Sequence, residues 1–149
     1  MLKYKLIKNN NAESPAYGKW YAHPVTDQPM SLSDLADHMA NHNTPYSEGM
    51  ILGVLTDMVK CIRELVLDGQ QVKIDNLAIF SIGIKSKGVA LPGDFNARTD
   101  IKAYSLRARA TGKFTKKELA SVASATETAK NAVDTTKKTP VTSGDEGGD

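Results

Sequence analysis

Leu67-Asp68-Gly69-Gln70-Gln71-Val72-Lys73-Ile74-Asp75-Asn76-Leu77-Ala78-Ile79-Phe80 is the stretch in which the period of this chain changes. Before it, apolar residues recur at helical spacing; after it, they alternate. Gly69 sits where a helix ends, because a glycine just past the last turn takes the left-handed conformation without a Cβ penalty. Val72 and Ile74 open a strand and Asp75-Asn76 turn it. Phe80, Ile82 and Ile84 then alternate with Ser81, Gly83 and Lys85. The fold class that follows is α+β.

Upstream, two helices are expected. Ser31 is a good N-cap, and Leu32, Leu35, Ala36 and Met39 keep the i, i+3, i+4, i+7 spacing, which predicts a helix from about Leu32 to His42. Asn43-Thr44-Pro45 breaks it, with Thr44 as the next N-cap and Pro45 at the first helical position. In the second helix Ile51, Leu55, Met58, Ile62 and Leu65 form one apolar stripe, and Leu52, Val59 and Val66 form another. A helix apolar on two sides in so small a chain needs more cover than one protomer supplies, so a homodimer is expected.

Downstream, about residues 85–100 read as a long flexible arm, with Gly88, Pro92 and Gly93 and little periodicity. Ile101 to Arg109 alternates again, with Tyr104, Leu106 and Ala108 on one side and Ser105, Arg107 and Arg109 on the other. Thr115-Lys116-Lys117-Glu118 has capping-box spacing and starts a last helix reaching about Ala125. Residues 126–149 carry almost no large apolar side chain and read as a disordered tail. Residues 1–25 read as a hairpin-like β-extension: lysines alternate with Tyr4 and Leu6, a polar turn runs from Asn9 to Pro15, and a second strand covers Tyr17 to Ala22. The division expected is therefore 1–25, 26–125 and 126–149.

The net charge of +2 is modest, but its distribution is not. Residues 26–70 hold seven acids against two bases, a net of −5, whereas residues 73–117 hold ten bases against three acids, a net of +7. One surface suits a polyanion and another repels it. Lys85 and Lys87 at the start of the arm, Arg98 within it, and Arg107 and Arg109 on the solvent side of the last strand are the candidate phosphate contacts, followed by Lys113 and Lys116. An ordinary solvated face is the alternative. Lys102 has the other parity from Arg107 and is a weaker candidate.

The order helix, helix, strand, long arm, strand, short helix resembles that of the bacterial histone-like HU/IHF family. Leu67 to Phe80 resembles the family stretch in which a helix ends at glycine and a strand enters a Gly-Phe-Gly-x-Phe turn; here Asn76 and Ala78 replace the two glycines and Leu77 the first aromatic. Gly112-Lys113 before a short helix resembles the family's Pro-Gly-Lys segment. The resemblance covers roughly residues 31–125, and the N-terminal strands resemble a longer HU-like subgroup. It implies an intertwined homodimer, with a helical base under β-sheets and projecting arms, that binds duplex DNA in the cytoplasm as an architectural, nucleoid-associated protein. The family's Arg-Asn-Pro arm tip, whose proline wedges between base steps, is absent; Leu91, Pro92 and Phe95 are the nearest apolar substitutes. The alternative is an HU-fold scaffold dimer that has lost DNA bending or binding, and charge alone does not separate DNA from RNA.

Other features point away from catalysis. No Ser/His/Asp, Cys/His or paired-carboxylate constellation stands out, so neither an enzyme nor a small-molecule substrate is expected. Thr111-Gly112-Lys113 lacks the upstream glycine of a phosphate-binding loop. His38 and His42 are four apart, a spacing that could hold a metal, but no Asp, Glu or Cys cluster completes the site, and no metal or cofactor is expected. Cys61, the single cysteine, reads as a buried small hydrophobe and leaves no intrachain disulfide, which fits a reducing compartment. Tyr17, Trp20 and Tyr21 read as packing residues of the extension in preference to base-stacking ones. The N-terminus has no continuous apolar region of a signal peptide, and no run is long enough to span a bilayer, so no membrane partner is expected.

Overall fold

Ser31 begins the first helix as its sequence demands. Its Oγ accepts from Asp34 N–H at 3.1 Å, while the Asp34 carboxylate accepts from Ser31 N–H at 2.8 Å and from its hydroxyl at 2.7 Å. Two backbone donors at the start of the helix are thus satisfied reciprocally. The box was missed because aspartate, one methylene shorter than the usual glutamate, occupies its third position. In the computed structural model, which describes residues 1–128, the elements run β1 (Leu2–Lys8), β2 (Trp20–Pro24), α1 (Leu32–Ala40), α2 (Glu48–Leu67), β3 (Val72–Ile74), β4 (Ala78–Ser86), α3 (Ala97–Asp100), β5 (Ile101–Ala110), α4 (Lys116–Val122) and β6 (Ala125–Glu127). The mixed α+β composition and the order of helices and strands agree with expectation.

The chain separates into two units. One comprises Met1–Asp27 with residues 123–128, and the other Gln28–Val122. In the first, β1 pairs antiparallel with β2, Lys5 opposite His23 and Ile7 opposite Tyr21, and parallel with β6, Lys3 opposite Thr126. The second strand lies later than expected, and Tyr17, Trp20 and Tyr21 are exposed. Strand β6 falls where the disordered tail was expected to begin, because the far edge of β1 offers it backbone partners that no local pattern announces. The rest of that expected tail, from residue 129, lies outside the described residues.

In the second unit α2 starts three residues after Pro45. Asn43 takes a left-handed φ of 57°, and Thr44 Oγ1 accepts from Tyr46 N–H at 3.3 Å in a local turn. Thr44 is therefore spent before a helix can use it, and Ser47 caps instead, accepting from Met50 N–H at 3.3 Å. At the far end Gly69 has φ 82°, Gln70 N–H reaches Leu65 O at 2.9 Å and Gly69 N–H reaches Val66 O at 3.2 Å. These are the two reversed bonds of a Schellman stop. Helix α1 ends at Ala40 with Asn41 as cap, two residues before the expected limit, and α4 ends at Val122.

Strands β3, β4 and β5 form an antiparallel sheet in that order. Phe80 faces Ala108, Ile82 faces Leu106 and Ile84 faces Tyr104, so these share one side of the sheet. On that side an open apolar trough of about 520 Å³ runs between α2 and the sheet, lined among others by Val59, Ile62, Val66, Phe80, Ile82 and Leu106. A second of about 430 Å³ lies between α1 and α2, lined by Met39, Tyr46, Met50, Ile51, Val54 and Leu55. Among the described residues only Ala36, Ile51, Val66 and Ala78 are buried apolar residues, and no large side chain is fully buried. Cys61 is exposed rather than buried, because it lies on a flank of α2 that nothing among the described residues covers.

The segment expected to be a structureless arm has local order. A 3₁₀ turn spans Pro92–Asp94, and Asn96 caps α3 by accepting from Arg98 N–H at 3.0 Å. Asp100, 8% exposed, accepts from Asn96 N–H at 2.8 Å, and Lys87 N–H closes the base of the loop on Asp100 O at 2.8 Å. Side chain-to-backbone bonds thus order a segment whose apolar pattern carries no signal.

The hydrogen bonds from the Ser31 hydroxyl and then its backbone N–H hold Asp34 below the usual carboxylate range. Folding therefore gains from the ionised carboxylate above that range and loses the gain as pH falls through the depressed value. Asp34→Ala should lower the melting temperature at pH 7, and the gap from wild type should close on acidification. A pH-independent gap in thermal melts would contradict this.

Candidate nucleic-acid interface

The opposite side of the three-stranded sheet is built by the same alternation. Ile79 pairs with Arg109, Ser81 with Arg107, Gly83 with Ser105 and Lys85 with Ala103, so these point away from the apolar trough. Lys73 pairs with Ile79 and joins them. Three of the expected cations, Lys85, Arg107 and Arg109, therefore share one face, and the register adds a fourth, Lys73. Lys73 was missed, although its position between Val72 and Ile74 carried the parity needed to find it. All four are exposed.

Gly83 explains how Arg107 lies on this face. A Cβ on Gly83 would overlap Arg107 Nε and stand 3.0 Å from its Cζ, so the arginine side chain runs flat over the bare backbone of the neighbouring strand. The backbone of Gly83 is buried beneath it. Beside this contact, Gln71, Ile79, Ser81, Arg107 and Arg109 line a shallow polar hollow of about 280 Å³. Among the described residues neither arginine takes part in an ion pair, whereas Lys73 Nζ stands 3.1 Å from Asp75 Oδ1. That pair is exposed, so it holds Lys73 only weakly and leaves it available to another anion.

The remaining candidates lie elsewhere in the unit. Lys113 follows Gly112, whose φ of 52° lets its backbone press against the turn residue Asn76, 2.9 Å from Asn76 Cα to a Cβ built there. This sets the Gly112–Phe114 turn against the β3–β4 hairpin, at the end of the sheet nearest Lys73. Lys116 opens α4. Lys87 and Arg98 lie on the β4–β5 connection with the exposed Leu91, Pro92 and Phe95. Lys102 Nζ donates to Thr99 O at the base of that connection, apart from the Arg107 row. The face offers fixed cations and no cluster of three or more metal-ligating side chains among the described residues. No helix among those residues is long and apolar enough to cross a membrane.

Residues 1–130 match the model of a family described as an HU domain fused to wHTH, Ig, or glycine-rich motif. A crystal structure of a candidate bacterial DNA-binding protein from Bacteroides vulgatus superposes with a TM-score of 0.59 at 15% identity, covering 85% of this chain and 47% of that one. The chain thus spans about half the length of that protein. An HU–DNA cocrystal structure from Anabaena aligns with 61% of this chain and 98% of its own, at 18% identity and a TM-score of 0.43. No curated relative matches by sequence.

The Gly83 contact makes a direct test possible. Gly83→Ala should leave the sheet folded, since alanine suits a strand at least as well as glycine, but it displaces the Arg107 side chain. Nucleic-acid affinity should fall several-fold with the melting temperature unchanged or slightly raised. Unaltered affinity would show that the seating of Arg107 does not matter.

Proposed function

The chain belongs to the family of HU domains fused to wHTH, Ig, or glycine-rich motifs, and on that premise we propose that it binds duplex DNA as a non-catalytic, nucleoid-associated homodimer. Contacts are mainly to backbone phosphates and sequence specificity is low. The observation that carries this reading is the shared face of Lys73, Lys85, Arg107 and Arg109, backed by an apolar face on the other side of the same strands. Phosphate contacts of this kind fix the position of a duplex without reading its bases. Lys87 and Arg98 flank the exposed Leu91, Pro92 and Phe95 on the connection, which gives the arm an apolar tip between cations to set against the minor groove. Lys113 and Lys116 extend the basic surface beyond the end of the sheet.

The dimer is supported by what the protomer leaves uncovered. Leu106 is 61% exposed, Tyr104 62%, Val54 70% and Val59 52%. Fully burying a side chain of this size is worth roughly 1.5–3 kcal/mol, so a partner that covers several of them gains an amount comparable to the marginal stability of a small domain. Two-fold symmetry then doubles the basic face. Sedimentation at micromolar concentration should give about twice the 16.1 kDa of one chain; a folded monomer would contradict the dimer.

Arg107→Ala combined with Arg109→Ala removes four charges per dimer. The salt slope of duplex binding should shrink by up to ~4 units, similarly for every sequence, with little change in melting temperature. An unchanged slope would place the DNA elsewhere, salt-independent absence of binding in the wild type would favour a protein scaffold, and a preference for duplex RNA would replace the partner proposed.

A further inference from the structure

We propose that His38 and His42 form a two-histidine chelate for a borderline divalent transition metal of the Ni(II) or Cu(II) class, a site that stands apart from the basic face and does not rest on DNA binding. Residues four apart on a helix lie one above the other. His38 is in the last turn of α1, and His42 follows the Asn41 cap, with its N–H on Met39 O at 3.1 Å, so the turn continues far enough to keep the two rings on one side. Their Nε2 atoms share a hydrogen bond at 3.0 Å, whose donor is set by the tautomer and whose proton a metal would replace, and the rings meet edge to face, with centroids 4.6 Å apart and planes inclined at 66°. Both residues are exposed.

The separation selects the geometry. With metal–nitrogen bonds of about 2.0–2.1 Å, two nitrogens 3.0 Å apart subtend an angle near 95° at the ion. That is close to the right angle between neighbouring ligands of a square-planar or octahedral ion, and well short of the tetrahedral angle zinc prefers. No third His, Cys, Asp or Glu gathers there among the described residues, so the chain supplies two ligands and leaves the other positions to solvent or small ligands. Asp34 and Asp37 on the same helix give the neighbourhood a negative field that favours a cation. Sequence spacing does not say that both rings bring Nε2, and not Nδ1, within 3.0 Å of each other.

Isothermal titration of the full chain with Ni(II) chloride tests the site. One ion per protomer should bind, with affinity falling about tenfold or more in His38→Ala and equally in His42→Ala. Circular dichroism should show both variants helical, and His38→Gln provides a second, helix-compatible replacement. His23→Ala and Cys61→Ser should bind as the wild type does, which separates the pair from the other soft ligands on the surface. No uptake by the wild type at 100-fold molar excess, or uptake that survives the loss of either His38 or His42, overturns the proposal. Duplex DNA binding by His38→Ala should be unchanged, so either reading can fail without the other.

Discussion

The register of β4 against β5 is the constraint on which the other features depend. Ile82 opposite Leu106 and Ser81 opposite Arg107 assign the two faces of one sheet to opposite tasks. A slip of one residue would carry Arg107 and Arg109 into the apolar trough and turn Leu106 to the polar side. Several local devices hold the register. The Asp75-Asn76 turn, with Asn76 at φ 61°, fixes β3 on β4, and Thr111 N–H binds Leu77 O at 3.0 Å where β5 leaves the sheet. At the other end the ordered Asp100 corner returns the chain into β5 directly opposite Ser86.

From that constraint the surface follows. The apolar face of the sheet and α2 together leave large apolar side chains exposed, and the acidic helical half of the chain suits a polyanion poorly. Within Gln28–Val122, every cation but Lys60 and Arg63 lies on the sheet or on the segments joined to it. A partner chain on the apolar side and a nucleic acid on the basic side are therefore compatible demands on different surfaces of the same unit. Gly83 links the two levels: its missing side chain is what lets Arg107 lie along the sheet.

Much of this was legible in the sequence because it is local. Ser31, Gly69, the Asp75-Asn76 turn and the alternation through Phe80–Lys85 and Ile101–Arg109 each announce their structure within a few residues, and the HU/IHF resemblance rested on that same order. What escaped depends on residues distant in sequence or on competition between neighbours. Strand β6 is defined only by the free edge of β1. Thr44 lost the helix cap to its own turn, leaving it to Ser47. The order around Asp100 comes from a carboxylate reaching back to Asn96 N–H, a bond no hydrophobic pattern encodes. Lys73 and the Gly83–Arg107 contact needed the pairing of strands before they could be seen.

The chain has four arginines, Arg63, Arg98, Arg107 and Arg109, and they divide between the surfaces in a way that an arginine-selective footprint can read. Arg63 lies on α2 beside the apolar trough, whereas Arg107 and Arg109 lie on the opposite side of the sheet. Modification with phenylglyoxal in the presence and absence of duplex DNA, resolved by mass spectrometry, should show Arg107 and Arg109 protected by DNA and Arg63 reacting equally in both. Protection of Arg63 with Arg107 and Arg109 left reactive would contradict the assignment of the sheet face to DNA.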